Sequence, residues 1–559
     1  MLIADYIAKI LSLYGVTDAF GIPGGVVLDM MYALAGTGVE IQPHLLYNEQ
    51  TVGFAACGYA QTSKKLGVAY ATRGPGIMNM LTSMAEAYQE SIPVLFLTAH
   101  GERIESEKRF ENNQEVNLKD AVSSYTKYAA NVETVSEVIE HLQKAICCAL
   151  SGRKGPVFLD IKSNLFSEKI DKLWVDNIKT VNTGLECSTD RINEILDVIS
   201  AQLKKSIRPV ILIGDGLRYI YDKKKLKECL EQIQLPILSS RGAQDIAASS
   251  QWYYGYIGSH GLRYSNFILS KADLIISIGN RLAFPKKSKS FGTVMESKTI
   301  IRIDIDANEL GQQFPQVINR VADFNDLIEP LCKRNICFKD INGWLDICRK
   351  LREKLEDYDV SEPVKKIAEI MNKKTEDTVY VTDVGNNEFW FSRAYEKCRR
   401  GEIYTSKAFG TLGVALGKAI GAYYGTHKEI VCVIGDQGMQ FNIQELQYIS
   451  YWKLPITILL INNGCSGMIK ESEMRRCGMN YLHVDKESGY TVPNFKAVSK
   501  SYEIDYATTV SEVNDAKPVL YEILIDSEVF LTPYIPKGEA LQKMHPTMPE
   551  KLYQELNEL

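Results

Sequence analysis

Short, continuous apolar runs alternate with longer helical stretches along the chain, and this alternation limits the fold more than any other feature. The first block carries GVAYAT (67–72), IPVLFLT (92–98) and PVFLDI (156–161), and the second carries PVILIG (209–214), ADLIISIG (272–279) and TIIRIDID (299–306). The third carries VYVTDVG (379–385), EIVCVIGD (429–436), ITILLINN (456–463) and VLYEILID (519–526). Strands that are apolar at nearly every position, separated by helices, belong to parallel sheets covered on both faces. The three blocks predict an α/β chain of three doubly wound domains with parallel sheets, at 1–165, 190–335 and 365–540, with a tail at 541–559 that packs on a partner surface. Polar stretches with irregular apolar spacing place the linkers near 165–190 and 335–365. The length of 559 residues agrees, at roughly 100–200 residues per domain.

Composition removes several classes of function. With 64 Lys and Arg against 69 Asp and Glu, the net charge is −5, so no nucleic acid is expected as a partner. No apolar run approaches the roughly 20 residues of a membrane span. Ile3, Ile7, Ile10, Leu11 and Tyr14 recur at helical spacing, so the N-terminus reads as a folded amphipathic helix, not an export signal. Twelve cysteines lie scattered without C-x-x-C or zinc spacing, which predicts free thiols and a cytoplasmic location.

Ligands of open α/β sheets sit beyond the carboxyl ends of the strands. Several runs end in unusual residues there: TRGPG, DVGNN, GDQG and NNGCSG. Asp436 ends one strand, and Asn463 ends the next, 27 positions later, after a single helical crossover. Neighbouring parallel strands would bring this carboxylate and this amide oxygen to one point. That makes a candidate Mg²⁺ site, because Mg²⁺ takes few protein ligands and fills its octahedron with phosphate oxygens and water. Gly435 and Gly438 would let the backbone approach a diphosphate, and a helix starting after Gly438 would aim its amides at it. The alternative is a pair of ordinary Asp-Gly and Asn-Asn turns without a ligand; their joint occurrence at crossover spacing disfavours it.

GDxG followed by NN about thirty residues on resembles the diphosphate signature of thiamine diphosphate enzymes, and NIQEL with LP resembles acetolactate synthase and its relatives. The resemblance implies Mg²⁺ held by Asp436, Asn463 and the backbone carbonyl of Cys465, with further cofactor contacts from Gly435, Gln437, Gly438, Gly467 and Met468. Gln437 departs from the family's Gly-Asp-Gly, displacing the glycine to 438. VTDVGNN (381–387) resembles the diphosphate loop, which implies contacts from Gly385, Asn386 and Asn387, the last two replacing Gln and His. TSKAFGTLGVALGKAIGA (405–422) resembles the pyrimidine-holding segment, with Gly410 and Leu412 as contacts and Leu412 wedged between the rings. HLLYNEQTVGFAACGYAQ (44–61) resembles the motif of the glutamate that activates the pyrimidine, and Glu49 is the matching position. Gly53, Ala55, Ala56, Gly58 and Ala60 after it permit close helix packing. AFGIPGGVVLDMMYAL (19–34) and TRGPG (72–76) also resemble the family, with Gly24 and Gly25 opening space beside the reacting carbon.

The family decarboxylates 2-oxo acids and passes the remaining fragment to a proton, a second carbonyl or an oxidant. Gln114, in a stretch similar to the acetolactate synthase FQE segment, is a candidate substrate contact. The seven histidines are isolated, against the paired histidines of simple decarboxylases. The expected reaction is therefore carboligation of a decarboxylated 2-oxo acid, with pyruvate as donor, to a carbonyl acceptor. A flavin-dependent pyruvate oxidase-type enzyme, a non-oxidative decarboxylase and a catalytically silent relative are the alternatives. FAD is disfavoured, although GDGL (214–217), SRGAQD (240–245) and GSHG (258–261) sit at comparable places; GNRLAFPKKSKSF (279–291) replaces the usual acidic-arginine stretch. Ser472 stands near the family's acceptor-pocket tryptophan, and Arg475 and Arg476 are candidates for an anionic acceptor. The glutamate and the diphosphate site belong to different subunits in the family, which implies a homodimer or homotetramer.

Overall fold

The computed structural model describes residues 1–36, 38–101, 114, 116–170, 187–283, 294–311, 314–334, 341–478 and 480–559. Each apolar run lies in a buried strand, because a strand covered on both faces favours an apolar side chain at nearly every position. Strands β1 (Asp18–Gly21), β2 (Gln42–Leu45), β3 (Gly67–Tyr70), β4 (Val94–His100), β5 (Tyr128–Val132) and β6 (Val157–Lys162) form a sheet ordered β2-β1-β3-β4-β6-β5. The central sheet holds β7 (Pro209–Ile213), β8 (Ile237–Ser239), β9 (Tyr253–Tyr256), β10 (Leu274–Ile278), β11 (Thr299–Asp304) and β12 (Val317–Val321), ordered β12-β11-β10-β7-β8-β9. The third holds β13 (Val379–Thr382), β14 (Glu402–Thr405), β15 (Ile430–Gly435), β16 (Ile456–Asn462), β17 (Asp505–Ala507) and β18 (Val519–Leu524), ordered β14-β13-β15-β16-β18-β17. The registers in the three sheets are parallel, among them β1 with β3, β7 with β10 and β13 with β15.

The first and third sheets share one strand order, a structural repeat that no similarity of residues announces. The central sheet has the order of dinucleotide-binding folds. In each sheet the connections leave to opposite sides at β1/β3, β7/β10 or β13/β15, and a crevice opens there. The glycine-rich motifs lie at these three places.

Two compact units result. One comprises 1–184, 377–388 and 404–528, with the first and third sheets; the other comprises 185–376, 389–403 and 529–559, with the central sheet. In the first unit the helices Glu49–Ser63 and Val414–Thr426 meet at backbone contact: a Cβ on Gly58 would lie 2.1 Å from the Lys418 carbonyl oxygen, and one on Gly421 would lie 1.8 Å from that of Ala55. Glycine inside a helix costs about 0.5–1 kcal/mol against alanine, and this contact is what it permits. The helix Ile3–Leu13 forms where the apolar spacing places it. In the second unit, residues 541–559 do not form a free tail. Leu541, Met548 and Leu556 are buried in a cluster with Phe267, Trp344 and Leu351, because the helix Glu550–Glu558 has an apolar face that its own chain covers. Among the described residues, no helix is long and apolar enough to cross a membrane.

Candidate active site

The third sheet's crevice collects the residues that the sequence pointed to. β15 and β16 pair in register, so Asp436 and Asn463 emerge side by side. Asp436 Oδ2 accepts from the amides of Asn463 at 3.1 Å and Gly464 at 2.7 Å, and its Oδ1 accepts from the Tyr490 hydroxyl at 2.7 Å. Burial pushes the Asp436 carboxyl above the usual carboxylate range, and these hydrogen bonds pull it back down. One end of the Asn463 side-chain amide lies 2.9 Å from the Cys465 carbonyl oxygen and 3.2 Å from Asp436 Oδ2. With nitrogen there, the amide donates to both; with oxygen there, three oxygens from three residues surround one point. Only the second arrangement is a cation site, and its all-oxygen ligand set suits Mg²⁺. Burial pushes the Cys465 thiol up to about 12, so its sulfur is no thiolate at neutral pH. Among the described residues, no three His, Cys, Asp or Glu side chains converge to hold a metal ion.

Asn386 and Asn387 open a helix that begins directly behind β13, where free amides favour an anion. Both are buried, yet Asn386 has neither Nδ2 nor Oδ1 hydrogen-bonded, and Asn387 Oδ1 has no partner. Unpaired polar atoms in a fold cost roughly 1–3 kcal/mol each, so a ligand is the simplest account of them. A Cβ on Gly467 would lie 2.6 Å from Asn386 Nδ2 and 2.7 Å from Asn463 Nδ2, and one on Gly435 would lie 3.1 Å from Asn387 Nδ2. The strand ends, Gly467 and the two asparagines therefore form one cradle. The donors and the anion-favouring helix start could receive a diphosphate, and the three oxygens could hold its metal when the Asn463 oxygen is the atom turned inward. The helix expected after Gly438 begins earlier, at Asp436 (Asp436–Phe441), because Gly435 is already its N-cap.

Asp383 escaped the sequence reading. It is buried and accepts from the amides of Val384 at 2.9 Å, Gly413 at 3.1 Å and Ala415 at 3.1 Å, and a Cβ on Gly438 would lie 2.7 Å from its Oδ1. It thus ties the end of β13, the 410–415 segment and the GDQG turn together, and burial raises it to about 6. Glycine at 438 answers to this carboxylate. Gly410 has φ +76° and opens onto free space, and Leu412 is half-buried, outside the core. Gln437 is half-buried and Met468 exposed. Tyr490 also went unnoticed; no local pattern marks it.

A second group gathers at the first sheet. Asn48 caps the helix of Glu49, and Glu49 Oε2 accepts from Asn79 Nδ2 at 3.0 Å. Gly76 approaches Glu49 Oε1, with a Cβ there 3.5 Å away; Gly24 is pressed on Thr72, and Gly25 faces open space. The Gln114 carbonyl lies over Gly74, whereas residues 102–113 and 115 are outside the described residues. Among the described residues, no hydrogen bond or ion pair joins the Glu49 group to the Asp436 group.

These features have close counterparts elsewhere. Residues 1–122, 196–331 and 383–532 match the N-terminal TPP binding domain, the central domain and the C-terminal TPP binding domain of thiamine pyrophosphate enzymes. The chain belongs to the thiamine pyrophosphate enzyme family. It is similar to the acetolactate synthase large subunit of Lactococcus lactis subsp. lactis, 28% identical over 96% of this chain and 94% of the relative. It is also similar to the acetolactate synthase isozyme 2 large subunit of Escherichia coli, at 27% over 97% and 98%, and to acetolactate synthase of Arthrospira platensis, at 29% over 88% and 87%.

The central crevice of this thiamine pyrophosphate enzyme is built differently. A Cβ on Gly214 would lie 2.2 Å from the Gly279 carbonyl oxygen, and one on Gly216 would lie 2.8 Å from Gly279 Cα. The Gly-x-Gly of GDGL is therefore explained by its own chain. Arg218 bonds Asp215 at 2.8 Å and Asp245 at 2.8 and 2.9 Å, which satisfies the charges of GDGL and SRGAQD mutually. In GSHG, His260 packs against Phe389 with the ring centroids 4.7 Å apart and the planes tilted by 50°. Lys286, Lys287 and Lys289 lie outside the described residues. Arg475 is paired with Glu471, and Ser472 is half-buried.

Proposed function

We propose that the chain is a Mg²⁺- and thiamine diphosphate-dependent carboligase of the acetolactate synthase type, which decarboxylates a 2-oxo acid, with pyruvate as donor, and joins the remaining fragment to a second carbonyl. The observation that carries this reading is the cradle of Asn386, unpaired on both side-chain atoms, and Asn387, unpaired on Oδ1, beside Asp436, Asn463 and the Cys465 carbonyl, in a chain similar to acetolactate synthases over nearly its whole length. When bound, the cofactor supplies a nucleophilic carbon and an electron sink.

Asp436, Asn463 and the Cys465 carbonyl hold the cation, and the Asn386 and Asn387 side chains and the helix amides behind Gly385 receive the diphosphate. Gly410 and Leu412 shape the bed of the pyrimidine, and Glu49 holds the proton on a pyrimidine nitrogen. Gly25 leaves room beside the reacting carbon, and Gln114 borders the substrate. The site is completed by a second copy of the chain. Leu45, Tyr47, Phe441, Tyr451 and Trp452 support this, being exposed on the β2 end and on the 441–452 segment that Tyr47 touches through Glu445. Homodimer and homotetramer both satisfy this geometry. The reaction needs no flavin. The unbridged cysteines of the described residues support a reducing, cytoplasmic setting.

Incubation with pyruvate, Mg²⁺ and thiamine diphosphate tests the reading, with acetolactate as the expected product. Acetaldehyde alone would make the chain a simple decarboxylase, and pyruvate consumption that awaits an added ketone would change the acceptor. A yellow, flavin-bearing protein producing acetate would reverse the reading in favour of an oxidase. Glu49→Gln is expected to fold and retain the cofactor while losing about 10²–10⁴-fold in turnover; turnover at the wild-type level would remove its proton-holding role.

A further inference from the structure

Arg393 lies on the helix Asn386–Cys398 and is 5% exposed. Its Nη2 donates to the backbone carbonyls of Pro533 at 2.8 Å and His260 at 3.1 Å, and the Tyr256 hydroxyl faces the guanidinium as well. Its Nε has no hydrogen-bond partner. Carbonyl oxygens satisfy N–H groups without neutralising a charge, and a guanidinium keeps its charge inside a protein. Burial works against that charge and lowers the pKa of the group. Among the described residues, no carboxylate pairs with Arg393.

The same side chain lines a cavity of about 40 Å³, together with Arg263, Tyr264, Glu356, Asp359 and Glu396. On the scale of that volume one water needs roughly 10–15 Å³, so the space takes a group of about three waters' size. The three carboxylates would repel an anion if they stood alone, and each is paired. Arg263 takes both oxygens of Asp359, at 2.5 and 3.0 Å. Glu396 accepts from the Tyr253 hydroxyl at 2.9 Å and pairs with Arg399 at 3.1 Å. Glu356 pairs with Arg352 at 3.4 Å. Lys397, which also lines the cavity, pairs with Asp357. With these pairs set against one another, the positive charge of Arg393 is left over. Leu355, Val360 and Val364 complete the wall with apolar surface, which strengthens any charge interaction inside.

We propose that this cavity binds a small oxyanion, a carboxylate or a phosphate group, through the Arg393 guanidinium. A planar fork of N–H donors fits two oxygens of one such group, and Tyr264 brings a hydroxyl to the same space. All of these residues belong to the second compact unit, and none is among those assigned to the cofactor.

Isothermal titration of the full-length protein tests the site, with sodium phosphate, sodium acetate and sodium chloride as separate probes at one ionic strength. Each is titrated with and without saturating Mg²⁺ and thiamine diphosphate, which tells binding in the diphosphate cradle apart. Wild type is expected to bind about one phosphate or acetate per chain, with or without cofactor, at a dissociation constant of about 1 mM, as a ligand of so few atoms allows. Chloride cannot span the fork and should bind about tenfold more weakly. Tighter phosphate identifies a phosphoryl-bearing ligand, and tighter acetate a carboxylate. Arg393→Met keeps an unbranched stem without the charge and should weaken the preferred oxyanion by about tenfold or more, the loss of a charge-assisted hydrogen bond. Arg393→Lys keeps the charge without the fork, serves where the methionine variant fails to fold, and should bring the oxyanion to within about threefold of chloride. Oxyanion binding unchanged in either variant would overturn the proposal, as would binding that vanishes once the cofactor is present. So would chloride bound as tightly as the oxyanions, or no saturable binding up to about 50 mM.

Discussion

The third and the central sheet face the same topological situation, a crevice between strands whose connections leave to opposite sides, and they treat it in opposite ways. At β13/β15 buried polar side-chain atoms remain unpaired, Asn386 on both and Asn387 on one, beside Asp436, Asn463 and the Cys465 carbonyl. At β7/β10 the glycines are consumed by the chain itself, Gly214 and Gly216 against Gly279, and Arg218 neutralises Asp215 and Asp245. A glycine-rich turn at a strand end is thus ambiguous until its surroundings are known. Here the unsatisfied polarity of the one crevice leaves atoms for a ligand, and the mutual satisfaction of the other accounts for its glycines by packing.

The contrast can be broken most sharply through the metal. Asp436→Ala is expected to weaken Mg²⁺-dependent cofactor retention by about a hundredfold or more, whereas Asp215→Asn should leave it unchanged; titration with Mg²⁺ and cofactor separates the two. A comparable effect of Asp215→Asn would show the central crevice to be a ligand site as well. Next is Asp383. Its folded pKa of about 6 lies above its ordinary value of 3.8, so its contribution to stability is complete below about pH 4 and is lost as the pH rises through 6. That amounts to about 3 kcal/mol across this window. Asp383→Asn should flatten this part of the stability-against-pH curve, as measured by denaturant unfolding at pH 4 and pH 7.

Smaller effects sharpen the central side of the contrast. Gly216→Ala should cost about 1–3 kcal/mol through overpacking against Gly279 without altering cofactor affinity, and a loss of affinity would contradict the packing role. Arg302 tests the rule from the other direction. It is buried, its Nε and Nη1 lack partners, and burial lowers its pKa. Arg302→Met is expected to stabilise the chain by about 1 kcal/mol, and destabilisation would reveal an anion that the guanidinium serves.

The apolar runs exposed the three sheets because a strand buried on both faces must be apolar at nearly every position. Asp436 and Asn463 were readable for a related reason: one crossover fixes where two strand ends meet. Glu49 was readable only as a matching motif position. Asp383 lay in plain view within VTDVGNN, yet its partners are amides at 384, 413 and 415, and no spacing rule connects these. Glu86 and Lys418 are 332 positions apart and meet only because the helices Leu81–Gln89 and Val414–Thr426 both pack closely on the helix Glu49–Ser63, at Gly53 and at Gly58 and Gly421. Residues 541–559 looked like a tail because their apolar face has no neighbour in sequence.

The sequence by itself therefore determined the alternation of strand and helix, the parallel sheets and the strand ends where chemistry collects, because local periodicity and one-crossover geometry depend on neighbours along the chain. Only the tertiary structure decided which crevice keeps unpaired polar atoms and which is filled, and which carboxylates hold the 406–412 segment. Those outcomes depend on hydrogen-bond partners brought from hundreds of residues away, and satisfaction of a buried polar atom belongs to the folded ensemble of groups around it, not to any stretch of residues.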